Sequence, residues 1–486
     1  MKRTLLLTGL VIVLLFLTLP KGMVYGSNMD WLSQHAALAE TIRDACREQQ
    51  TLLPEVLPLG GGVNGFEFSY YGFLRPDILI GCLLPEIPMY RILIAYMCIG
   101  YLASVLLFDF FLRRELKNDA AACFGSVLFL CAACFFHTHR QVMFINYMPF
   151  FLSALLAVQS KRPRLAAVFL ALAYCNSFYY SVAMLMAVGW YSYRREGKKF
   201  WRGYLVTAAG SVGLAAVLLL PSFLVILEHK RETAEAFSVP LFLPKLGFLL
   251  YSPYGMGLTL LVLYLLLAGL CRKEYRTDSL FYLLFVSCGL GAWLLNGTLY
   301  ARGKILAPFV PLFLLHGMRV FLAMWRGEMK WQIYPFLPMA VCLLFHIGSG
   351  DLLGMSLDFL LLAVFVAVMR ATPMSGKAAA LACLLLLPAP IVSFAAASFS
   401  EDYVSGEKLA QIEAAEHGSI AKTLGALVRE QPLYRFDSLC DPLARANRLG
   451  EACFGIGKSA MYSSVTNQAY SDFYYDLMQT PVQINN

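Results

Sequence analysis

Residues 162–195 read RPRLAAVFLALAYCNSFYYSVAMLMAVGWYSYRR, an apolar run closed at both ends by arginine. From Leu165 to Tyr193 it covers about 29 residues, and Lys198 and Lys199 extend the second basic cluster. A single transmembrane helix would leave one basic cluster on the outer side, against the bias that keeps Lys and Arg in cytoplasmic loops. Two full spans would need roughly 40 residues, at about 20 each. Two shortened or re-entrant helices turning near Asn176-Ser177 satisfy both constraints. Such broken backbone survives in a bilayer only where protein buries it or a polar cavity receives it. The stretch therefore predicts a bundle of many crossings with an interior built around irregular segments.

The rest of the chain fits that pattern. Of its 486 residues 59% are apolar and 14% charged, against about 25% charged in an ordinary soluble domain. The net charge of +8 is dispersed in short loops at alternate ends of apolar segments, as the positive-inside rule requires, which excludes a nucleic-acid partner. Most cysteines, Cys131, Cys134 and Cys175 among them, fall inside apolar segments and read as small buried hydrophobes.

A first, uncleaved span covers about Thr4–Val24, preceded by Lys2 and Arg3 on the cytoplasmic side. It delivers Asn28 and Asp30 outside, and a polar loop follows over residues 26–88. Span two returns at Arg113, Arg114 and Lys117. Spans three and four form a hairpin with His137 and His139 outside and Arg162 and Arg164 inside. After the short pair come a span from about Gly203 to Leu227, a loop rich in Pro and aromatics, and spans turning at Arg272–Arg276, Asn296–Lys304 and Arg319–Lys330. Segments near Trp331–Ile347, Ser356–Met369 and Ala378–Ala397 complete the membrane part. The expected fold is an all-α polytopic membrane protein of about 13 hydrophobic segments. Residues 1–398 form the membrane domain, and residues 399–486 a small extracytoplasmic α+β or β region that reads as a truncated domain. In that region Cys440 and Cys453 could form a disulfide.

Asp30 is the residue singled out for chemistry. Asp followed by Ser33 at the start of an amphipathic stretch has an ordinary reading as a helix N-cap. A carboxylate at a membrane surface can also take a proton from a hydroxyl that attacks a sugar's anomeric carbon. Gln34 and His35, one helical turn on, could position hydroxyls beside it. The glycine loop at 60–65 carries Asn64 and leads to Tyr70 and Tyr71, an aromatic patch suited to sugar rings and equally to a membrane interface. External Arg140, Lys230, Arg231, Arg302 and Lys304 run against the charge bias and could bind phosphate or lipid headgroups. No cofactor is firmly implied. A divalent metal has no Asp-x-Asp motif to hold it, the local pattern being Asn28-x-Asp30.

The sequence Gly26-Ser27-Asn28-Met29-Asp30-Trp31-Leu32-Ser33-Gln34-His35 after span one resembles the bacterial YfhO family of the GT-C glycosyltransferase superfamily. So do Gly60–Tyr71 leading to Pro76, His139-Arg140-Gln141 through Asn146 and Pro149, Asn176–Tyr180, Tyr300–Pro311 and the tail motifs Leu433–Asp437 and Tyr462–Tyr470. The resemblance implies a GT-C bundle, with Asp30 as general base for inverting transfer. It implies a donor sugar on polyprenyl phosphate and a surface glycopolymer acceptor such as lipoteichoic acid. It adds His139, Arg140, Asn176 and Tyr179 to the substrate-binding set of Gln34, His35, Asn64, Tyr70 and Tyr71, and directs the departing phosphate to Lys230, Arg231, Arg302 or Lys304. Rival readings are a transporter or flippase of lipid-linked sugars, which would bury ionisable residues such as Asp109 and Asp358 in mid-membrane, and a non-catalytic scaffold.

Overall fold

A computed structural model describes residues 2–28, 30–59, 62–135, 145–228, 237–243, 245–344, 352–371, 382–399, 402–416, 419–431 and 468–479. Helix α1 (Lys2–Thr18) leads into strand β1 (Met23–Ser27), a π-helical turn (Trp31–Ala36) and α2 (Ala37–Glu48). A small hairpin of β2 (Val56–Leu57) and β3 (Val63–Asn64) follows, then a 3-10 helix (Gly65–Tyr71) and α3 (Pro76–Leu83). The bundle continues with α4 (Met89–Leu116), α5 (Asp119–Leu130), α6 (Met148–Gln159), α7 (Pro163–Asn176), α8 (Ser181–Glu196) and α9 (Trp201–Glu228). Beyond it come α10 (Leu246–Leu249), α11 (Leu260–Gly269), α12 (Lys273–Leu280), α13 (Gly289–Leu295), α14 (Val310–Trp325), α15 (Phe336–Leu344), α16 (Leu352–Ala371) and a helix at Pro388–Phe399.

Met89–Leu116, Phe178–Glu228, Gly303–Trp325 and Gly354–Ala371 are long and apolar enough to cross a membrane. Exposed Ile12 and Phe16 on α1, and Leu205, Val212, Val217 and Leu224 on α9, form an apolar outer belt. Such a belt is the kind of surface that a bilayer covers.

One end of the bundle carries a set of ion pairs. Arg3 meets Asp109 at 3.5 Å and Asp119 at 3.2 Å, and Arg194 meets Asp278 at 2.7 Å. Buried Glu115, at the last turn of α4, accepts from Gln159, Tyr191 and Arg195, each at 2.7 Å, and from Arg319. Asp30 and the 23–88 loop lie at the other end, because α4 begins there: the Met89 N–H donates to Glu40 at 2.9 Å.

The expectation for residues 162–195 holds. Arg195, at the end of α8, donates to the Gln159 carbonyl at 3.1 Å, just before α7 begins, so the two basic ends lie at the same end of the bundle. With 14 and 16 residues, α7 and α8 rise roughly 21 and 24 Å, short of the ~30 Å hydrocarbon core. Ser177 is extended and Phe178–Tyr180 forms a 3-10 turn between them.

Shortening also occurs where full spans were expected. α5 and α6 have 12 residues each and α11 has 10. After α5 the Ala133 N–H donates to the Gly257 carbonyl at 2.9 Å. Gly257 has φ +62°, and a Cβ there would lie 2.5 Å from the Ala133 and Cys134 nitrogens, so only glycine permits this approach. The loop at 246–259 thus enters the bundle instead of lying over it.

The described part of the C-terminal region is mainly helical (Gly406–Glu416, Ser419–Glu430, Gln468–Asp472), with one strand, β4 (Tyr403–Ser405). β4 pairs antiparallel with β1, Met23 opposite Ser405 and Val24 opposite Val404, so the region starts at the Asp30 end. Cys440 and Cys453 lie outside the described residues.

Candidate functional site

Asn28 and Asp30 divide the work at the exit from β1. The Asn28 amide donates to Asp402 Oδ1 at 3.0 Å and to the Tyr403 carbonyl at 2.8 Å, and accepts from Lys408 Nζ at 2.7 Å. It is a clasp for the C-terminal strand. Asp30 opens the π-helical turn in right-handed helical conformation (φ −58°, ψ −26°) and makes no side-chain cap hydrogen bond. The N-cap reading is therefore corrected: the backbone is already helical, so the carboxylate does not fold back onto the first N–H groups. Trp31 fixes the turn from below, packing so tightly under Gly26 that a Cβ there would lie 2.8 Å from the indole. Asp30 is left half-buried at the surface.

A chain of hydrogen bonds runs inward from it. Gln34 Nε2 donates to Asp30 Oδ1 at 3.4 Å, and the Tyr71 hydroxyl donates to Gln34 Oε1 at 2.9 Å. The His35 ring lies 5.9 Å from that of Tyr71, and Tyr70 packs edge-on to Tyr71 at 5.0 Å. Gln34, His35 and Tyr71 are buried, so they stand behind Asp30 and are not surface contacts. The polar face expected on α2 is also buried in part. Glu40 and Arg43 pair with each other, and Arg43 Nη1 donates to the Ile87 carbonyl at 2.8 Å.

Tyr71 is placed by the 3-10 helix, which leans on α9 beside Pro221. Ser69 Oγ donates to the Leu218 carbonyl at 2.5 Å, and the Tyr70 N–H donates to Ser222 Oγ at 3.1 Å. Asn64 turns out to serve this helix: its side-chain oxygen accepts from the Phe66 N–H at 3.0 Å as an N-cap. It is committed to the backbone and is not joined to the Asp30 group.

Cations approach from two directions. Arg75 forms a two-point pair with Asp77, at 2.6 and 2.8 Å, with both residues almost wholly buried. Gly72, at φ +124°, admits the guanidinium, since a Cβ there would meet Arg75 Cζ at 2.8 Å. Burial works against the Arg75 charge, but Asp77 outweighs it and raises the pKa. From α14's approach, Lys304 Nζ lies 5.1 Å over the Tyr179 ring, and Arg302 lies 4.8 Å over that of Tyr300. The Tyr179 hydroxyl donates to Asn296 Oδ1 at 2.7 Å, and Asn296 Nδ2 donates to the Arg302 carbonyl at 3.3 Å. His35 feels both groups: burial, then Arg75, then Lys304 hold its pKa down at about 3, so the imidazole is neutral. Its Nδ1 is buried with no hydrogen-bond partner among the described residues.

Asn176, at the break after α7, accepts from the Tyr96 hydroxyl at 2.5 Å, and Asn146 donates to the Tyr96 carbonyl at 2.8 Å. The short helix pair thus brings Asn176 and Tyr179 to the Asp30 end. His139, Arg140, Lys230 and Arg231 lie outside the described residues. Sequence reasoning missed Arg75, Asp77, Tyr96 and Asn296. Arg75-Pro76-Asp77 held a usable signal, two opposite charges either side of a helix-starting proline.

No family model and no curated protein matches the sequence. Solved structures do share the fold. ArnT from Cupriavidus metallidurans in the apo state aligns with TM-score 0.53 and 14% identity, covering 98% of this chain and 88% of that one. ArnT bound to undecaprenyl phosphate gives 0.50 and 14%, covering 99% and 89%. The archaeal oligosaccharyltransferase AglB from Archaeoglobus fulgidus, in complex with an inhibitory peptide and a dolichol-phosphate, gives 0.50 and 11%, covering 99% and 68%. At these identities the likeness is one of fold. The chain is a multi-pass α-helical membrane protein with a GT-C-like bundle.

Proposed function

We propose that the protein is a membrane glycosyltransferase that moves a sugar from a polyprenyl-phosphate donor to a surface glycopolymer, such as lipoteichoic acid, on the extracytoplasmic face. The basic clusters around Arg113, Arg162, Arg194 and Arg326 favour a cytoplasmic Glu115 end, with Asp30 and β4 outside. The observation that carries the reading is the convergence at one bundle end of Asp30, its Gln34–Tyr71 support and a cationic group 274 residues away. Lys304 lies over the ring of Tyr179, next to Phe178, whose ring packs 6.1 Å from Tyr70, itself 5.0 Å from Tyr71 behind Asp30.

In the proposed reaction the acceptor hydroxyl gives its proton to the Asp30 carboxylate while its oxygen attacks the anomeric carbon. The bond from that carbon to the phosphate oxygen breaks from the opposite side, so the configuration inverts. The electron pair leaves on the phosphate, whose growing charge faces Arg302 and Lys304. The solved structures of this fold holding undecaprenyl phosphate or dolichol-phosphate favour a lipid phosphate as that leaving group.

Transporters usually bury ionisable residues in mid-membrane as part of their pathway. Asp109 is paired with Arg113 at 3.1 Å, and Asp358 accepts from the Leu260 N–H at 2.9 Å and from Tyr251. Both carboxylates have structural work, which weighs against transport. The test uses proteoliposomes with a radiolabelled polyprenyl-phosphate hexose and membrane extract as acceptor. Covalent label in polymer supports the reading; label crossing the bilayer without transfer overturns it.

A further inference from the structure

The elbow between α8 and α9, at the bundle end far from Asp30, carries an open groove of about 430 Å³. Its walls are Val182, Met186 and Tyr193 of α8 and Trp201 and Tyr204 of α9, with Phe281 at the side. From Val182 to Tyr193 it follows three turns of α8, roughly 16 Å at 1.5 Å per residue. Gly189 forms its floor: a Cβ there would meet the Tyr204 ring at 3.0 Å. Val182 and Trp201 are more than half exposed, so the groove faces lipid directly.

The mouth of the groove is the turn Gly197–Phe200, which holds exposed Lys198 and Lys199, with exposed Arg202 one turn into α9. Neighbouring arginines are already neutralised, Arg194 by Asp278 and Arg195 by Glu115, each at 2.7 Å. Lys198, Lys199 and Arg202 have no ion pair among the described residues, and Glu196, just before the turn, is the only acid between Arg194 and Arg202. Exposed Arg162 and Arg164 extend the basic surface, since the start of α9 is tied to that of α7 by Thr207 donating to the Pro163 carbonyl at 3.2 Å. Three cations in five residues, over an open groove lined by aromatic and aliphatic side chains, complement one kind of membrane component. We propose that this elbow is a binding site for an anionic glycerophospholipid of the facing leaflet. Its phosphate sits on Lys198, Lys199 and Arg202, and one acyl chain lies along α8. The inference is independent of the catalytic reading.

The test is native mass spectrometry of the protein released from nanodiscs of equal phosphatidylglycerol and phosphatidylcholine. The wild type is expected to retain at least one phosphatidylglycerol with about tenfold preference. The surface variant K198Q/K199Q/R202Q should lose that preference at an unchanged size-exclusion profile, and Trp201→Ala should retain the preference but lose bound lipid on activation. Equal retention of the two lipids by the wild type, an undiminished preference in the triple variant, or displacement of phosphatidylglycerol by equimolar undecaprenyl phosphate would overturn the proposal.

Discussion

The Tyr71 hydroxyl donates a 2.9 Å hydrogen bond to the amide oxygen of Gln34, and that bond decides which face of the amide Asp30 meets. With Oε1 occupied, Nε2 must point outward, where it reaches Asp30 Oδ1 at 3.4 Å. Removing the hydroxyl frees the amide to rotate and present its oxygen to the carboxylate. Losing a buried neutral hydrogen bond costs about 1 kcal/mol of stability, and the same loss felt at the transition state is roughly five-fold in rate. Tyr71→Phe should therefore show both a modest destabilisation and about a five-fold drop in transfer per folded molecule. Initial rates in proteoliposomes check this; an unchanged rate removes Tyr71 from the support of Asp30.

Arg75 and Asp77 are a buried pair whose partners cannot be separated cheaply. Asp77→Asn leaves a guanidinium without its countercharge and should destabilise the protein by about 3–5 kcal/mol. The double variant Arg75→Met/Asp77→Leu should recover most of that. Fluorescence-detected unfolding in detergent distinguishes the outcomes.

His35 gives a pH signature. Its folded pKa is about 3 against an ordinary 6.5, so below pH 6.5 the unfolded chain binds a proton that the folded chain does not. Stability is therefore lost as pH falls from 6.5 toward 3, at no more than ~1.4 kcal/mol per pH unit for one proton. His35→Gln should flatten the stability profile between roughly pH 5 and 6.5 by up to that slope. Parallel profiles for variant and wild type would contradict a neutral, buried His35.

Glu115 ties four helices together far from the site through Gln159, Tyr191, Arg195 and Arg319. Glu115→Gln leaves two arginines, each about a third exposed, without their shared countercharge and should lower stability by about 1–2 kcal/mol. Transfer per folded molecule should be unchanged. A selective loss of transfer without destabilisation would show that this end of the bundle communicates with Asp30.

The bundle was legible because span length and basic clusters are local signals. The α7–α8 turn at Asn176-Ser177 followed from counting residues between arginines, with no knowledge of what packs there. Gly257 against Ala133, which accompanies the shortening of α5, was invisible because it joins positions 124 apart. At the site, the positions of Asp30, Gln34 and Tyr71 were named from residue type and spacing. Their order was not, since burial of Gln34 and Tyr71 depends on α9 supporting the 3-10 helix through Ser222. Asn64 reads as a sugar ligand in a glycine loop, but two residues before Phe66 it is better placed as a cap. Arg75-Pro76-Asp77 showed opposite charges either side of a helix-starting proline, but that local pattern does not say that Arg75 will be 1% exposed.

The central claim is that Asp30 takes the acceptor's proton. Its most direct test is mass spectrometry of surface polymers from a deletion strain complemented with wild-type protein or with Asp30→Asn at matched membrane levels. The account predicts that the wild type restores the sugar-modified mass and that Asp30→Asn, isosteric but unable to accept the proton, leaves it at the deletion level. Full restoration by Asp30→Asn would contradict the account.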